Sequence, residues 1–170
     1  MKKLVTVLLV LAVALGAAAC GQSAPAAFSQ KDLSLSVNGA AITAETDVGA
    51  ILAALGDGYD YAEAVSCVYE GMDRTYTYDT CVLYTYPDGE SERLMELSCF
   101  GGEVKTSRGV ALGASRADVV AAYGEPTSEL GSTISYELSA QGENLPAALS
   151  FLIRGDAVEE ITLTAEHRAE

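Results

Sequence analysis

Tyrosine and cysteine are the residues of this chain whose types and spacing could do chemistry. Tyr76 and Tyr78 alternate with Thr75 and Thr77 in "RTYTYDT", and Tyr84 and Tyr86 follow in "CVLYTY". Strand side chains alternate between faces, so each pair of tyrosines shares one side of its strand. Exposed, such a stripe is a binding surface, because each ring offers apolar area and a hydroxyl with little side-chain entropy to lose. Turned inward, the same rings fill a half-buried strand, where aromatic residues are favoured.

Cys81 and Cys99 stand equally far from position 90, in the middle of a "PDGE" turn. That places them on adjacent strands of one hairpin and makes them the expected disulfide in an oxidising compartment. Cys67 is then a buried free thiol, or a partner if the register differs. A nucleophilic cysteine needs a neighbouring base. The one histidine, His167, falls in the charged tail "AEHRAE", where it is solvated. Cys-His and Ser-His arrangements are therefore not expected, no catalytic residue is assigned, and the protein reads as a non-enzyme.

Acidic groups give the remaining route to chemistry. Asp57, Asp60 and Glu63 lie in "DGYDYAE", and Asp88, Glu90 and Glu92 surround the turn. A calcium loop places oxygen ligands at close alternating positions around a glycine turn, which this segment meets only loosely. Small-ligand or cation binding is kept as an alternative function, with no metal ligand set and no cofactor assigned. Glycoside cleavage needs two carboxylates at a fixed separation in a cleft, and no spacing here specifies one. "GDG" lacks the third glycine, following helix and lysine of a phosphate cradle.

The elements that must position these residues come in two similar sets. "ILAALGDG" at 51–58 returns sixty-eight residues later as "VVAAYGEP" at 119–126. Val48, Ile51, Leu52 and Leu55 have the spacing of an amphipathic helix, capped by Asp47 and stopped by Gly56 and Gly58. In the second set Ser115 caps, Val119, Val120 and Tyr123 form the stripe, and Gly124 with Pro126 stops it. Period-two strands joined by turns follow each helix: "RTYTYDT", "CVLYTY" and "RLMELSCF" in the first, and Ile134 to Leu138, Leu149 to Ile153 and Val158 to Leu163 in the second. "LSLSVNGAAIT", with its Asn38-Gly39 turn, and "GGEVKTSRGVALG" add a leading strand to each set. The offset aligns Cys81, Leu83 and Thr85 with Leu149, Phe151 and Ile153. It thereby turns them toward the helices and leaves Val82, Tyr84 and Tyr86 on the open side. A slip of one residue reverses every assignment. The expected fold class is α+β: two tandem helix-plus-antiparallel-sheet repeats with the helices on one face of the sheet.

Lys2 and Lys3 precede an apolar run from Leu4 to Ala19, broken only by Thr6 and Gly16, that ends on small residues before Cys20. A positive start, short apolar core and small-residue cut site describe an export signal at 1–19. Its removal leaves 8 Lys plus Arg against 24 Asp plus Glu, a formal charge of −16. Such a field repels phosphate backbones, so no nucleic-acid partner is expected. Residues 20–32, rich in Gly, Gln, Ser, Ala and Pro, read as a flexible tether. Two repeats at 33–106 and 107–165 and a charged tail at 166–170 complete the chain.

Two resemblances add to this reading. "GAAAC" after the apolar run resembles the bacterial lipoprotein signal, which implies lipidation of Cys20 and two acyl chains holding the protein on the outer face of the cell membrane, or on the outer membrane of a diderm cell. "GVALGASRADVVAAYGEPT", "ISYEL" and "LSFLIRGDAVEEITL" are similar to the repeat shared by the β-lactamase inhibitor protein BLIP and the assembly lipoprotein BamE. "SCVYEGMDRTYTYDT" and "TYPDG" are similar to tandem-repeat lipoproteins of Gram-positive gut bacteria. The likeness runs from about Leu33 to Leu163 and implies fold more strongly than activity. It implies a membrane-anchored, non-enzymatic module that binds a protein partner or cell-wall component through an open sheet face. The expected contact residues are Tyr76, Tyr78, Tyr84 and Tyr86. A BamE-like envelope assembly subunit is the further alternative.

Overall fold

Two short helices begin and end by the same local chemistry. In α1 (Val48–Leu55) the Asp47 carboxylate accepts the Ala50 N–H at 3.1 Å, and in α2 (Arg116–Tyr123) Ser115 and Asp118 form a reciprocal capping box. Each cap satisfies a backbone donor that the first helical turn leaves without a partner. Gly56 and Gly124 close them at φ 92°, ψ −177° and φ 83°, ψ −164°. The positive φ was expected of a glycine stop, but ψ near 180° is the mirror-extended region rather than the left-handed helical one. That region is essentially closed to side-chain-bearing residues.

The computed structural model describes residues 24–168. The signal segment and Cys20 lie outside the described residues. Before α1 come β1 (Ser34–Val37) and β2 (Ala40–Thr43), joined by Asn38 and Gly39, both at positive φ as a two-residue hairpin turn requires. Between the helices run β3 (Asp60–Val65), β4 (Met72–Thr77), β5 (Cys81–Asp88), β6 (Ser91–Cys99) and β7 (Val104–Thr106). After α2 follow β8 (Ser128–Leu130), β9 (Thr133–Glu137), β10 (Asn144–Leu145), β11 (Ala148–Arg154), β12 (Ala157–Thr164) and β13 (His167–Arg168).

The protein is α+β, mostly antiparallel. Its main sheet has eight strands in the order β3-β4-β5-β6-β12-β11-β9-β8. The leading strands do not join it. They form their own sheet, β2-β1-β7, because Leu35, Val37, Ile42 and Val104 bury one side of that small sheet in the common core. That core also takes Val48 and Ile51 from α1, Val119 and Tyr123 from α2, and Leu83, Leu97, Leu149, Phe151, Ile161 and Leu163 from the main sheet. Two bulges, opposite Tyr84/Thr85 on β6 and between Leu152/Ile153 and their β12 partners, bend the ladder.

Two segments read as irregular in the sequence are ordered. Asp60 and Glu63, expected in an acidic loop, lie on the edge strand β3, and their separation of three puts them on opposite sides of it. The tether expected over 20–32 is structured from Phe28 onward. Phe28 stacks against Tyr123 and Tyr136, and Gln30–Asp32 make a 3-10 turn whose buried Asp32 is gripped by Arg108 at 2.7 Å. Composition missed this because the partner that orders the segment lies 76 residues away.

Candidate binding surface

The register of the central strands divides the expected contact tyrosines. Tyr76 stands opposite Leu83, so both face the core, and Tyr76 is only 5% exposed. Its hydroxyl donates to Glu92 at 3.1 Å, and burial together with that carboxylate pushes its phenol well above the ordinary range. Tyr78, 8% exposed, donates to the Gly56 carbonyl at 3.0 Å, and burial pushes it up to about 12. Neither residue can contact a partner. Both expectations fail because β4 meets β5 in the register that places its tyrosines, rather than Thr75 and Thr77, on the inward side.

Tyr84 and Tyr86 do lie on the side away from Leu83, as the sixty-eight-residue offset required, and Cys81, Leu83 and Thr85 are buried. Tyr86 is nevertheless covered: Tyr69 stacks on it at 4.6 Å, and the Tyr69 hydroxyl accepts the Arg168 N–H. Tyr84, 39% exposed, is left as the free ring of the four. Its cross-strand neighbours are Thr75 and Glu96.

The residues between those aromatics form a second pattern, which single-strand periodicity does not reveal. Following the pairings from one edge of the main sheet to the other gives Asp60, Thr77, Val82, Ser98, Thr162, Ser150, Ser135 and Ser128, one residue from every strand. Six of the eight are hydroxyls, all on the side opposite the core. At the centre the Ser98 and Thr162 hydroxyls lie 3.0 Å apart, with Glu96 3.3 Å from Ser98 and Glu160 3.1 Å from Thr162; two hydroxyl protons serve these three contacts, so when the hydroxyls bond each other only one of the carboxylates receives a proton. Ser135 and Ser150 bond at 2.8 Å, and Ser128 donates to Glu137 at 2.6 Å. The exposed ring of Phe100 follows Cys99 at the end of β6. The alternation of Ser or Thr with apolar residues was visible in β4, β6, β9, β11 and β12, but the row exists only across strands up to 64 residues apart.

Of the acidic groups singled out in the sequence, Glu92 and Glu63 are held by neighbouring side chains. Glu92 accepts from Tyr76, Thr85 and Arg74, and Glu63 pairs with Arg74 at 3.6 Å. Glu90 sits at the hairpin turn and Asp57 in the loop after α1. Among the described residues there is no cluster of three or more His, Cys, Asp or Glu suited to a metal ion, and no helix is long and apolar enough to cross a membrane. His167 lies in β13 with Nδ1 against the Ala165 carbonyl at 2.9 Å.

Cys81 and Cys99 are directly opposite each other and buried, both as free thiols, while Cys67 is exposed rather than buried. Phe100 donates its N–H to the Thr80 carbonyl, so the 81/99 pair is a non-hydrogen-bonded site of the ladder. Such sites bring Cα atoms to about 4.5 Å, inside the span a disulfide needs. Their mutual contact lowers Cys81, while the same contact and burial raise Cys99. Oxidation to a disulfide closes a hairpin loop and is expected to add about 3 kcal/mol. Alkylation of protein from an oxidising compartment should label Cys67 alone before reduction and all three thiols after it. Labelling of all three without reduction, in denaturant, contradicts the bond.

Compared with known proteins, the chain matches no protein-family model, no curated protein and no solved structure. The class it can be given is that of its own architecture, an antiparallel α+β protein with two helices.

Proposed function

We propose that this protein is an exported, lipid-anchored binding module that works without catalysis and uses the hydroxyl-bearing side of its main sheet as the docking face. In this reading the chain is a tandem duplication, and both helices lie on one side of the sheet. The observation that carries it is the pair of bonds from Tyr78 to Gly56 and from Tyr136 to Gly124, at 3.0 and 2.8 Å. Both join a strand to the glycine that closes a helix, and the glycines are sixty-eight apart. Tyr78 bonds backbone to Cys81, and Tyr136 pairs with Leu149, which is again sixty-eight beyond Cys81. Two halves built on one plan then meet at β6 and β12, about the Ser98–Thr162 pair. Each helix turns its buried residues to the core shared with Leu83, Leu97, Phe151 and Ile161. Of the alternate residues of those strands, Tyr84 is exposed, Val82, Glu96, Ser150, Glu160 and Thr162 are half-buried, and Ser98 is buried among them.

The duplication makes a stability prediction. Tyr78→Phe and Tyr136→Phe each remove a hydroxyl from a helix-closing carbonyl, and each should cost about 1 kcal/mol in urea unfolding. Similar losses support equivalent roles; a loss at one position alone breaks the equivalence.

Export and lipidation at Cys20 rest on the N-terminal segment "GAAAC". Thr162→Arg, which sets a long side chain at the middle of the docking face, should abolish recovery of partners from an envelope extract, whereas Glu143→Arg, in an exposed loop, should not. Equal recovery by both variants and the unmodified protein overturns the docking face.

A further inference from the structure

We infer that the partner of this face is a basic protein, whose Lys or Arg side chains sit over Glu96 and Glu160. The inference rests on the docking-face reading and names the chemistry of what docks there. Glu96 and Glu160 flank the Ser98 and Thr162 hydroxyls at the centre of the sheet, in the order Glu96, Ser98, Thr162, Glu160. Each carboxylate accepts at most one bond from these neutral hydroxyls, and neither has a Lys, Arg or His within salt-bridge distance among the described residues. The basic side chains elsewhere in the main sheet are already matched: Arg74 with Glu63 and Glu92, Arg93 with Glu45 and Asp88, Arg154 with Glu159. The face therefore keeps unneutralised acid at its middle, while the cations of the sheet are already paired.

A carboxylate accepts only, with about four lone-pair sites, so most of the capacity of each group is unused. Hydroxyls both donate and accept, which lets the row bond to backbone groups of either kind. Tyr84, exposed and opposite Glu96 on the neighbouring strand, supplies an apolar and cation-accepting ring face. Eight strands about 4.8 Å apart make the row about 34 Å long. With its two flanking rows the face approaches the roughly 800 Å² that each partner gives a standard interface. The charge balance of the whole chain, 24 Asp plus Glu to 10 Lys plus Arg, adds long-range attraction for a basic protein and repels an acidic one. Close charge pairs then fix where it docks.

The test uses the folded, unlipidated protein and a short oligolysine peptide as the probe, with amide shifts followed by NMR. Shifts should centre on β6, β12 and Tyr84. The double variant Glu96→Gln/Glu160→Gln should bind at least about tenfold more weakly, as expected for loss of close charge pairs. Glu103→Gln/Glu143→Gln removes the same charge from exposed positions off the sheet and should change affinity by less than about twofold, the effect of the general field. Equal weakening by both double variants reduces the attraction to overall charge and overturns the proposal. So does the absence of binding, or shifts spread over other surfaces. An oligomer of N-acetylglucosamine that shifts the face when the peptide does not would also overturn the basic partner, yet leave the docking face standing. Failure of the partner chemistry is thus separable from failure of the face, which the Thr162→Arg comparison decides.

Discussion

Arg108→Ala should destabilise the protein by about 3–5 kcal/mol in urea unfolding, the cost of removing one member of a buried ion pair. Arg108 donates to both oxygens of Asp32 at 2.7 Å, to the Ala122 carbonyl at 2.9 Å and to the Ala26 and Ala27 carbonyls, and its guanidinium lies 4.8 Å from the centre of the Tyr123 ring. Asp32 is 5% exposed, so without Arg108 its charge stays buried with only the Ser29 donors. Arg108→Lys should recover little, because a point charge cannot make the fork of bonds to the carboxylate. Loss below about 1 kcal/mol in Arg108→Ala would mean that residues 26–32 do not dock in solution.

The same pair gives a pH dependence. Hydrogen bonding to Arg108 is the main reason that the folded Asp32 carboxyl lies below its ordinary value of 3.8. A carboxyl lowered by folding stabilises the protein at all pH above its unfolded value, and that contribution is lost as pH falls through the folded one. Urea midpoints should therefore drop as pH falls below 3.8, and this part of the acid loss should be absent from Asp32→Asn. An acid limb unchanged in Asp32→Asn contradicts the assignment.

Phe151→Ala is expected to cost about 3–5 kcal/mol, while Leu152→Ala, one residue along β11, should cost about 1 kcal/mol or less. Phe151 is fully buried, with Tyr123 and Tyr136 at ring-centre distances of 5.8 and 6.1 Å, and truncation leaves a cavity that three elements cannot close together. Leu152 points to the other side of the same strand, where it is half-buried. Equal effects at the two positions would contradict the division of the sheet into a core side and an outward side. The same Leu152→Ala protein provides a folded control for measurements on the outward side.

The turn chemistry and the alternation within strands were legible because each depends on neighbours in sequence. Asp47, Ser115 and the closing glycines mark both helices, and Asn38-Gly39 marks its hairpin. The inward set Cys81, Leu83 and Thr85 followed from periodicity and one offset. Periodicity within β4 could not say which of its two sides faced inward, so Tyr76 and Tyr78 were assigned to the wrong surface. β3 was missed for a related reason: every residue of Asp60–Val65 is exposed, so no apolar alternation identifies an edge strand that buries nothing.

What the chain determined by itself is the set of local units, two capped helices with hairpins behind them, since caps, turns and alternation are satisfied within a few residues. Only the tertiary structure decided how the units join: β6 beside β12, the small second sheet, the 3-10 turn held by Arg108, and the row across eight strands in which six residues are hydroxyls. The physical reason is that register between distant strands is fixed by burying Leu97, Ile161 and Leu163 together in one core, and a polar row on the reverse side is the geometric consequence of that burial.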